Sequence, residues 1–293
     1  MLFARGLKNP EGPVALPDGT WLVVEGGADR GCITWLSSDG RQKRIVAKTG
    51  RPNGLAVDHA GRIWAAESQT PSLLRVTLEG HVETVAVGCD GESFLFPNDL
   101  CFGPDGAIYM TDSGVQISQF APNNIVRADF ENVHYDGRVY RIDPANGKVT
   151  KIDSGIKFAN GIAFDSARQL YVNETASGSV YRYAWSEGGP CSQRELFGNV
   201  IDPTLPHAWR GPDGMAFDSE CNLYVAVFGQ GDVTVLDADG KVSNRFQTSG
   251  NLPTNLAFGS NRQRRIYITE YEFGAVEILN TNSAGLALCD GSA

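Results

Sequence analysis

A chain of 293 residues with 34 Gly, 14 Pro and 42% hydrophobic residues has room for a sizeable core and many tight turns. Its formal charge of −9 and its lack of a long Lys/Arg cluster argue against nucleic acid and anionic membranes as partners. No stretch approaches the roughly 18 apolar residues of a membrane span, and the first six residues are too short and too interrupted for a signal peptide.

The cysteines indicate a reducing compartment. They stand at positions 32, 89, 101, 191, 221 and 289, without a Cys-x-x-Cys pair. An even number would suggest disulfide bridges in a short secreted chain, but free thiols are the better interpretation in a long chain without an export signal. We therefore expect a cytoplasmic protein.

The first predicted elements form one four-stranded unit. Short apolar strands are predicted at residues 14–16, 20–24, 32–36 and 44–47. Asp-Gly pairs at 18–19 and 39–40 supply turns of the kind that join antiparallel strands. The N-terminal residues 2–6 resemble the fourth strand of later repeats, so we expect this strand to join the last blade and close the ring.

The same plan recurs five more times along the chain. The equivalent positions that open each repeat hold Glu11, Asn53, Asn98, Asn160, Asp213 and Thr254. Their spacing of 41 to 62 residues leaves room for four short strands per repeat, which is typical of a β-propeller. Residues 1–293 are therefore predicted to form a single all-β domain, a six-bladed β-propeller with four-stranded blades.

Insertions interrupt the later repeats. The longest, residues 113–137, is predicted to cover one face, since a long loop on a compact scaffold is usually functional or mobile. Shorter insertions fall at residues 186–190 and 202–209. His134 and His207 lie in these segments, where they could reach the site or be plain loop positions.

The six equivalent positions are expected to meet at the central channel, because the first strand of each propeller blade lines it. Two carboxylates and three amides therefore converge there, namely Glu11, Asp213, Asn53, Asn98 and Asn160. For Asn53 and Thr254 a simple turn remains an alternative interpretation. Glu11 has no such explanation, because Glu is not a turn former.

A cation would resolve the charge problem at this channel. Two carboxylates at a narrow opening repel each other and lose solvation unless a cation lies between them. The available donors are all oxygens, so we expect a hard divalent ion, Ca²⁺ first, with Mg²⁺, Mn²⁺ or Zn²⁺ as alternatives.

The whole chain resembles the regucalcin and gluconolactonase family of six-bladed propellers. That family also includes bacterial lactonases and, more distantly, the squid-type diisopropyl fluorophosphatase. The matching motifs are Pro-Glu-Gly-Pro at 10–13, Pro-Asn-Asp-Leu at 97–100 with Tyr-Met-Thr-Asp at 109–112, Ala-Asn-Gly at 159–161 and Gly-Pro-Asp-Gly-Met at 211–215. Each motif is weak alone, but four in order at blade spacing are fairly specific.

The resemblance implies roles for particular residues. Glu11, Asn160 and Asp213 would bind the divalent ion directly, and Asn98 would contact the metal or the substrate. Asp213 also matches the carboxylate proposed as general base or nucleophile. Asp112 matches an Asp near the site of bacterial lactonases, with a strand-end turn cap as the alternative. The predicted catalytic residues are thus Asp213, Asn98 and Asp112.

One departure concerns the substrate. In regucalcin-like members an Arg two residues before the channel Asn helps to hold a polyhydroxylated substrate, whereas this chain has Phe96 there and Phe94 close by. The change favours a lactone ring that is less polar than a sugar acid.

The predicted function is metal-dependent hydrolysis of a small-molecule lactone. The ion would polarise the carbonyl while Asp213 activates water. Phosphotriester hydrolysis on the same metal, and a non-catalytic calcium-binding propeller, are the alternatives. The sequence has no Gly-x-Ser-x-Gly elbow, His-Glu-x-x-His motif or Walker loop, and it leaves the oligomeric state open.

Overall fold

Six four-stranded antiparallel sheets, arranged as blades around a channel, form the computed structural model of the chain. The residues it describes are 1–27, 29–122, 125–186, 189–190, 193–260 and 262–292. The prediction of an all-β, six-bladed propeller is confirmed.

The strands follow one another in blade order, except at the N-terminus. Strand β1 (Leu2–Arg5) belongs to blade 6. Blade 1 contains β2 (Pro10–Ala15), β3 (Trp21–Glu25), β4 (Cys32–Leu36) and β5 (Lys43–Lys48). Blade 2 contains β6 (Pro52–Val57), β7 (Ile63–Glu67), β8 (Ser72–Val76) and β9 (Val82–Ala86). A small hairpin, β10 (Gly88–Cys89) and β11 (Glu92–Ser93), precedes blade 3.

The second half of the ring repeats the plan. Blade 3 contains β12 (Pro97–Phe102), β13 (Ile108–Asp112), β14 (Gly137–Ile142) and β15 (Val149–Ile156). Blade 4 contains β16 (Ala159–Phe164), β17 (Leu170–Glu174), β18 (Ser179–Tyr183) and β21 (Glu195–Asn199), interrupted by the hairpin β19 (Trp185–Ser186) and β20 (Gly189–Pro190). Blade 5 contains β22 (Gly211–Phe217), β23 (Leu223–Phe228), β24 (Asp232–Leu236) and β25 (Val242–Gln247). Blade 6 contains β26 (Pro253–Phe258), β27 (Arg265–Glu270) and β28 (Ala275–Asn280), with β1 outside β28.

The N-terminal strand closes the ring, as predicted. Strand β1 pairs antiparallel with β28, with Ala4 opposite Val276 and Arg5 opposite Ala275. Blade 6 therefore contains the first strand of the chain together with its last three, and β1 covers the outer edge of β28.

Burial falls from the inner to the outer strands of a blade. Strand β7 is buried along its whole length, whereas β9 is exposed at its first three residues. The apolar side chains pack between neighbouring blades; Trp64 of blade 2, for example, shares a cluster with Met110 and Tyr140 of blade 3. Uninterrupted apolar runs therefore mark inner strands, and the core is a set of layers between blades.

A bulge at the start of each first strand positions the channel residues. In five blades the register between the first and second strands shifts just after the opening Pro or Ala, as between Pro97 and Leu100 or Ala159 and Ile162; in blade 1 it shifts one residue later, after Glu11. The residues inside these shifts leave the regular ladder and point their backbone toward the neighbouring blades. A side chain at Gly161 would clash with the carbonyl oxygen of Asp213, which explains the glycine there.

The long insertion covers part of one face. Strand β13 ends at Asp112 and β14 begins at Gly137, so the insertion spans residues 113–136. It contains the short helix α1 (Ile117–Phe120) and a 3₁₀ turn at Phe130–Asn132. Its Phe120 packs in a cluster with Phe96, Phe158 and Trp209, so the insertion lies over the entry segments of blades 3, 4 and 5.

The thiols described by the structure are unpaired. Cys32 and Cys89 are buried, Cys101 and Cys221 are half-buried, and Cys289 is exposed. Cys191 lies outside the described residues. Among the described residues no helix has the length and apolar character needed to cross a bilayer.

Candidate functional site

Four polar residues predicted to share the channel are brought close together. Asn98 and Asn160 are each 4% exposed, Asp213 is 8% exposed and Glu11 is half-buried. The carboxyl groups of Glu11 and Asp213 lie close enough for Glu11 to raise the pKa of Asp213, and the side chain of Asn160 lies close enough to lower it. Side chains from blades 1, 4 and 5 therefore form one connected polar group.

The orientation of the Asn98 amide is set by a hydroxyl from the same blade. The Ser113 Oγ donates its one proton to the carbonyl oxygen of Ala159 at 3.0 Å. It can then only accept from Asn98, whose Nδ2 donates to it at 3.0 Å. The NH₂ group of Asn98 is thus turned toward Ser113, and Oδ1 is turned away from it.

Asn160 is oriented by the same kind of hydroxyl contact in the next blade. The Thr175 Oγ1 donates to the carbonyl oxygen of Pro212 at 2.8 Å and accepts from Asn160 Nδ2 at 3.1 Å. Among the described residues neither Asn98 nor Asn160 uses its Oδ1 to accept a hydrogen bond. Both carbonyl oxygens therefore remain available to a ligand.

Two further residues belong to this group, although sequence reasoning missed them. Asp99 is 8% exposed and Asn255 is 7% exposed, and Asn255 Nδ2 donates to Asp99 Oδ2 at 3.4 Å across the channel. Both directly follow a predicted channel residue, where the other four repeats have glycine, at positions 12, 54, 161 and 214. The absence of glycine at this second position in two repeats was the signal that could have identified them.

Three acids crowd the channel without a counter-charge. Burial and the nearby Asp99 raise the pKa of Glu11 to about 8. Burial, followed by the charges of Glu11 and Asp99, raises the pKa of Asp213 well above its usual range, and burial raises the pKa of Asp99 to about 6. No Lys or Arg among the described residues forms an ion pair with any of the three.

This donor set fits a hard divalent cation. Carboxylate and amide oxygens are the ligands that Ca²⁺ prefers, and a cation would relieve the repulsion between buried acids. Within the described part of the chain, no three His, Cys, Asp or Glu side chains lie close enough to hold one metal ion, so Asp99 is near Glu11 and Asp213 without completing a three-acid site. The predicted set does not require one, because half of its donors are the amides Asn98 and Asn160.

Asp112 has the contacts of a structural residue. It is fully buried, and its two oxygens accept the backbone N–H groups of Leu95, Phe96 and Gly114 at 2.7, 3.0 and 2.8 Å. Four other blades place an acid at the same strand end, where Glu25, Glu67, Glu174 and Glu270 accept N–H groups of Lys8, Arg51, Lys157 and Leu252. These contacts support the strand-end cap that the sequence left open as the alternative.

Asn53 and Thr254, for which a simple turn was the alternative interpretation, have different contacts. Thr254 Oγ1 donates to the carbonyl oxygen of Pro10 at 2.8 Å and so joins blade 6 to blade 1. The half-buried Asn53 makes no side-chain hydrogen bond among the described residues, so a local turn contact does not account for it.

The two loop histidines are not brought to the channel. His207 Nε2 lies 3.0 Å from Glu131 Oε1, and both side chains are largely exposed. His134 and His207 line a cavity of about 430 Å³ between the insertion and residues 207–210, and no channel residue lines it. They therefore lie apart from the channel acids.

The phenylalanines before Asn98 have separate environments. Phe94 packs against Tyr140 inside the blade core, with ring centroids 5.0 Å apart. Phe96 packs against Phe158 beneath the insertion, with ring centroids 5.9 Å apart. Since Phe96 and Phe158 each stand two residues before a channel Asn, this side of the channel entrance is apolar.

Comparison with known proteins gives a consistent set of relatives. A family model described as the SMP-30/Gluconolactonase/LRE-like region matches residues 10–272. A gluconolactonase of Zymomonas mobilis is 28% identical over 280 residues, which cover 89% of this chain and 76% of that protein. The diisopropyl-fluorophosphatase of Loligo vulgaris is 27% identical over 289 residues, covering 92% of this chain and 88% of that protein.

A solved structure shares the whole fold. The calcium-binding protein regucalcin of Agrobacterium tumefaciens superposes with a TM-score of 0.80 at 20% sequence identity, covering 100% of this chain and 97% of that one. At this identity the likeness establishes the architecture only.

Proposed function

Because the chain belongs to the SMP-30/gluconolactonase/LRE-like family, we propose that it is a divalent-cation-dependent hydrolase that opens lactone rings. The observation that carries the proposal is the meeting of the Glu11 and Asp213 carboxyls with two oriented amides at one channel. The similarity to a gluconolactonase over 89% of the chain supports the choice of lactones as substrates.

The cation-binding residues follow from the donor set. Glu11, Asn98, Asn160 and Asp213 would hold the ion, with Ca²⁺ as the first choice because all four donors are oxygens. A bound divalent cation supplies Lewis-acid polarisation of the lactone carbonyl and positive charge for the developing oxyanion.

The chain's own residues perform the remaining steps. Asp213 takes a proton from the attacking water, whose oxygen bonds to the ring carbonyl carbon; the ring C–O bond then breaks and the leaving oxygen takes up a proton to become a hydroxyl group. Direct attack by Asp213 is the other route. Asn173 Nδ2 holds the main-chain carbonyl of Asp213 at 2.6 Å, which keeps this strand in place. Asn98 offers its free Oδ1 to the ion.

Two isosteric substitutions test the proposal. Glu11→Gln and Asp213→Asn should each lower kcat/KM for lactones by about 1000-fold, because they remove a charge from the channel while leaving the fold intact. Hydrolysis is followed with a pH indicator on aldonolactones, aromatic lactones and aliphatic lactones, with and without chelator.

The matched controls carry the same chemical changes far from the channel. Glu79→Gln and Asp239→Asn alter exposed turn residues and should retain wild-type rates. Circular dichroism checks the fold of every variant. Wild-type activity in Asp213→Asn, or full activity after removal of divalent ions, would contradict the proposal.

A second candidate function is hydrolysis of phosphotriesters at the same site. The similarity to a diisopropyl-fluorophosphatase over 92% of the chain favours it over other reactions. A higher kcat/KM for a fluorophosphate than for every lactone in the panel would replace the first proposal by this one. Divalent-ion binding without turnover of either class would instead indicate a binding protein.

A further inference from the structure

A cationic side chain stands directly before one of the first strands. Arg51 lies directly before β6 and two residues before Asn53. Its backbone N–H donates to Glu67 Oε1 at 2.6 Å, and its carbonyl oxygen accepts from Ser68 Oγ at 2.9 Å. The main chain at this position is therefore held firmly, and the side chain extends from a rigid base.

The guanidinium of Arg51 contacts an aromatic ring but forms no ion pair among the described residues. Its carbon lies over the ring of Phe96, 5.7 Å from the centroid. Burial lowers the pKa of Arg51, against the influence of Tyr271 and Glu67. Most other half-buried arginines pair with a carboxylate, as Arg141 does with Asp105 at 2.7 Å, and Arg210 donates to the carbonyl oxygens of Asp202 and Leu205. Among the described residues Arg51 has no such ion pair, and a half-buried charge of this kind is costly unless a ligand completes it.

Arg51 also lines an open cavity, which contains none of the channel residues in its lining. The space of about 450 Å³ lies between blades 2 and 3 and the insertion. Its lining includes Arg51, Ser68, Gln69, Gln116, Ile117 and Ser118. The volume suits a small ring compound, and the lining offers hydrogen-bonding side chains around one positive charge.

The chemistry of this arrangement selects an anionic group. A guanidinium binds a carboxylate through two parallel hydrogen bonds, and the contact with the Phe96 ring restricts where the guanidinium lies. Arg51 stands two residues before Asn53, and its guanidinium contacts the ring of Phe96, which stands two residues before Asn98. The cation therefore lies beside the first strands of two blades that carry channel residues.

We propose that Arg51 binds a carboxylate on the substrate, so that the lactone this site prefers carries a second, free carboxylate group. This inference rests on the proposed lactonase function. It also gives Phe96 a role, since the apolar ring at the channel entrance is the surface on which the guanidinium stacks. Hydrolysis of such a lactone yields a hydroxy-dicarboxylate.

A pair of matched substrates tests the inference. A γ-butyrolactone that carries a carboxylate is compared with its neutral methyl amide in wild type, Arg51→Met and Arg51→Lys. Arg51→Met should lower kcat/KM for the carboxylate by about 30-fold, mostly through KM, because a charged hydrogen bond is lost. The neutral amide should change less than about threefold, and Arg51→Lys should fall between.

A control arginine and a binding measurement show whether the effect is specific to Arg51. Arg30, which lies 3.8 Å from Glu25, already has a partner, so Arg30→Met should leave both rates unchanged. Binding of glutarate, a dicarboxylate that is not hydrolysed, is measured by calorimetry and should weaken by about 30-fold in Arg51→Met.

The possible results separate the two proposals. Equal losses for the two lactones, together with unchanged glutarate binding, would show that Arg51 is only structural and overturn the inference while the lactonase function stands. Glutarate binding that depends on Arg51, in a protein that hydrolyses no lactone, would retain the carboxylate site and overturn the lactonase function.

Discussion

One hydroxyl proton decides what each channel amide offers to a ligand. The hydroxyl groups of Ser113 and Thr175 each donate their proton to a carbonyl oxygen of the next blade. Each hydroxyl can then only accept, so the amide that contacts it must present its NH₂ group. The free Oδ1 of Asn98 and Asn160 is therefore a consequence of contacts behind the channel, and Ser113 and Thr175 are positioning residues.

Removing these acceptors should weaken cation binding. Without Ser113 Oγ or Thr175 Oγ1 the amide can turn, and Ser113→Ala and Thr175→Val should each raise the Kd for Ca²⁺ by about tenfold, a typical effect of residues that orient metal ligands. The measurement is calorimetric titration with Ca²⁺. Thr175→Ser keeps the hydroxyl and should bind like wild type. Equal affinity in Thr175→Val and Thr175→Ser would disprove the positioning role.

Individual strands have distinct tasks in this fold. The bulged first strands, such as β12 and β16, turn residues toward the channel, and the second strands, such as β7, fill the layers between blades. Strand β1 contributes no channel residue. Its task is to pair with β28 and complete blade 6, so its effect on the protein should be on stability and solubility.

Deletion of residues 1–5 should destabilise the ring. The outer edge of β28 would lose its partner, and exposed edges promote association. We expect the melting temperature to fall by about 5 to 10 °C, with increased light scattering on heating. Leu2→Thr, which alters a side chain that is 54% exposed but keeps the strand, is the control. Unchanged melting after the deletion would show that closure by β1 is dispensable.

The whole molecule brings acids from three blades to one axis. Glu11, Asp99 and Asp213 are far apart in the chain, and they lie next to one another only because the ring closes. Proximity and burial raise their pKa values, so the folded protein without a cation holds protons that the unfolded chain releases. Folding and proton binding are therefore coupled at the channel.

This coupling predicts how stability depends on pH. The pKa of Glu11 rises from 4.5 to about 8 on folding, so the metal-free protein should lose free energy of unfolding as pH rises between these values. Urea denaturation with chelator at pH 5, 6, 7 and 8 measures the slope.

Two comparisons isolate the contribution of the channel. Glu11→Gln should show a shallower fall, and Ca²⁺ should stabilise the wild type most at the alkaline end, where the acids are ionised. Identical slopes for the wild type and Glu11→Gln would rule out Glu11 as the coupled group.

The sequence alone determined the architecture and the first layer of the site. Repeats spaced 41 to 62 residues apart, each opening on a turn and a short apolar strand, predicted six blades and the slots of Glu11, Asn98, Asn160 and Asp213. The prediction of six blades succeeded because it depends on local pairing, since the strands and turn of a hairpin are neighbours in the sequence. The closing strand β1 was recognisable for the same reason.

Only the tertiary structure decided which neighbours share the channel. Asp99 and Asn255 enter it because bulged strands from opposite blades approach closely, and Asp112 turns away to bind backbone N–H groups. Arg51 likewise contacts Phe96 only because blades 2 and 3 are neighbours in the ring. These placements depend on the distance between strands that lie far apart in the chain, and no local pattern of residues records that distance.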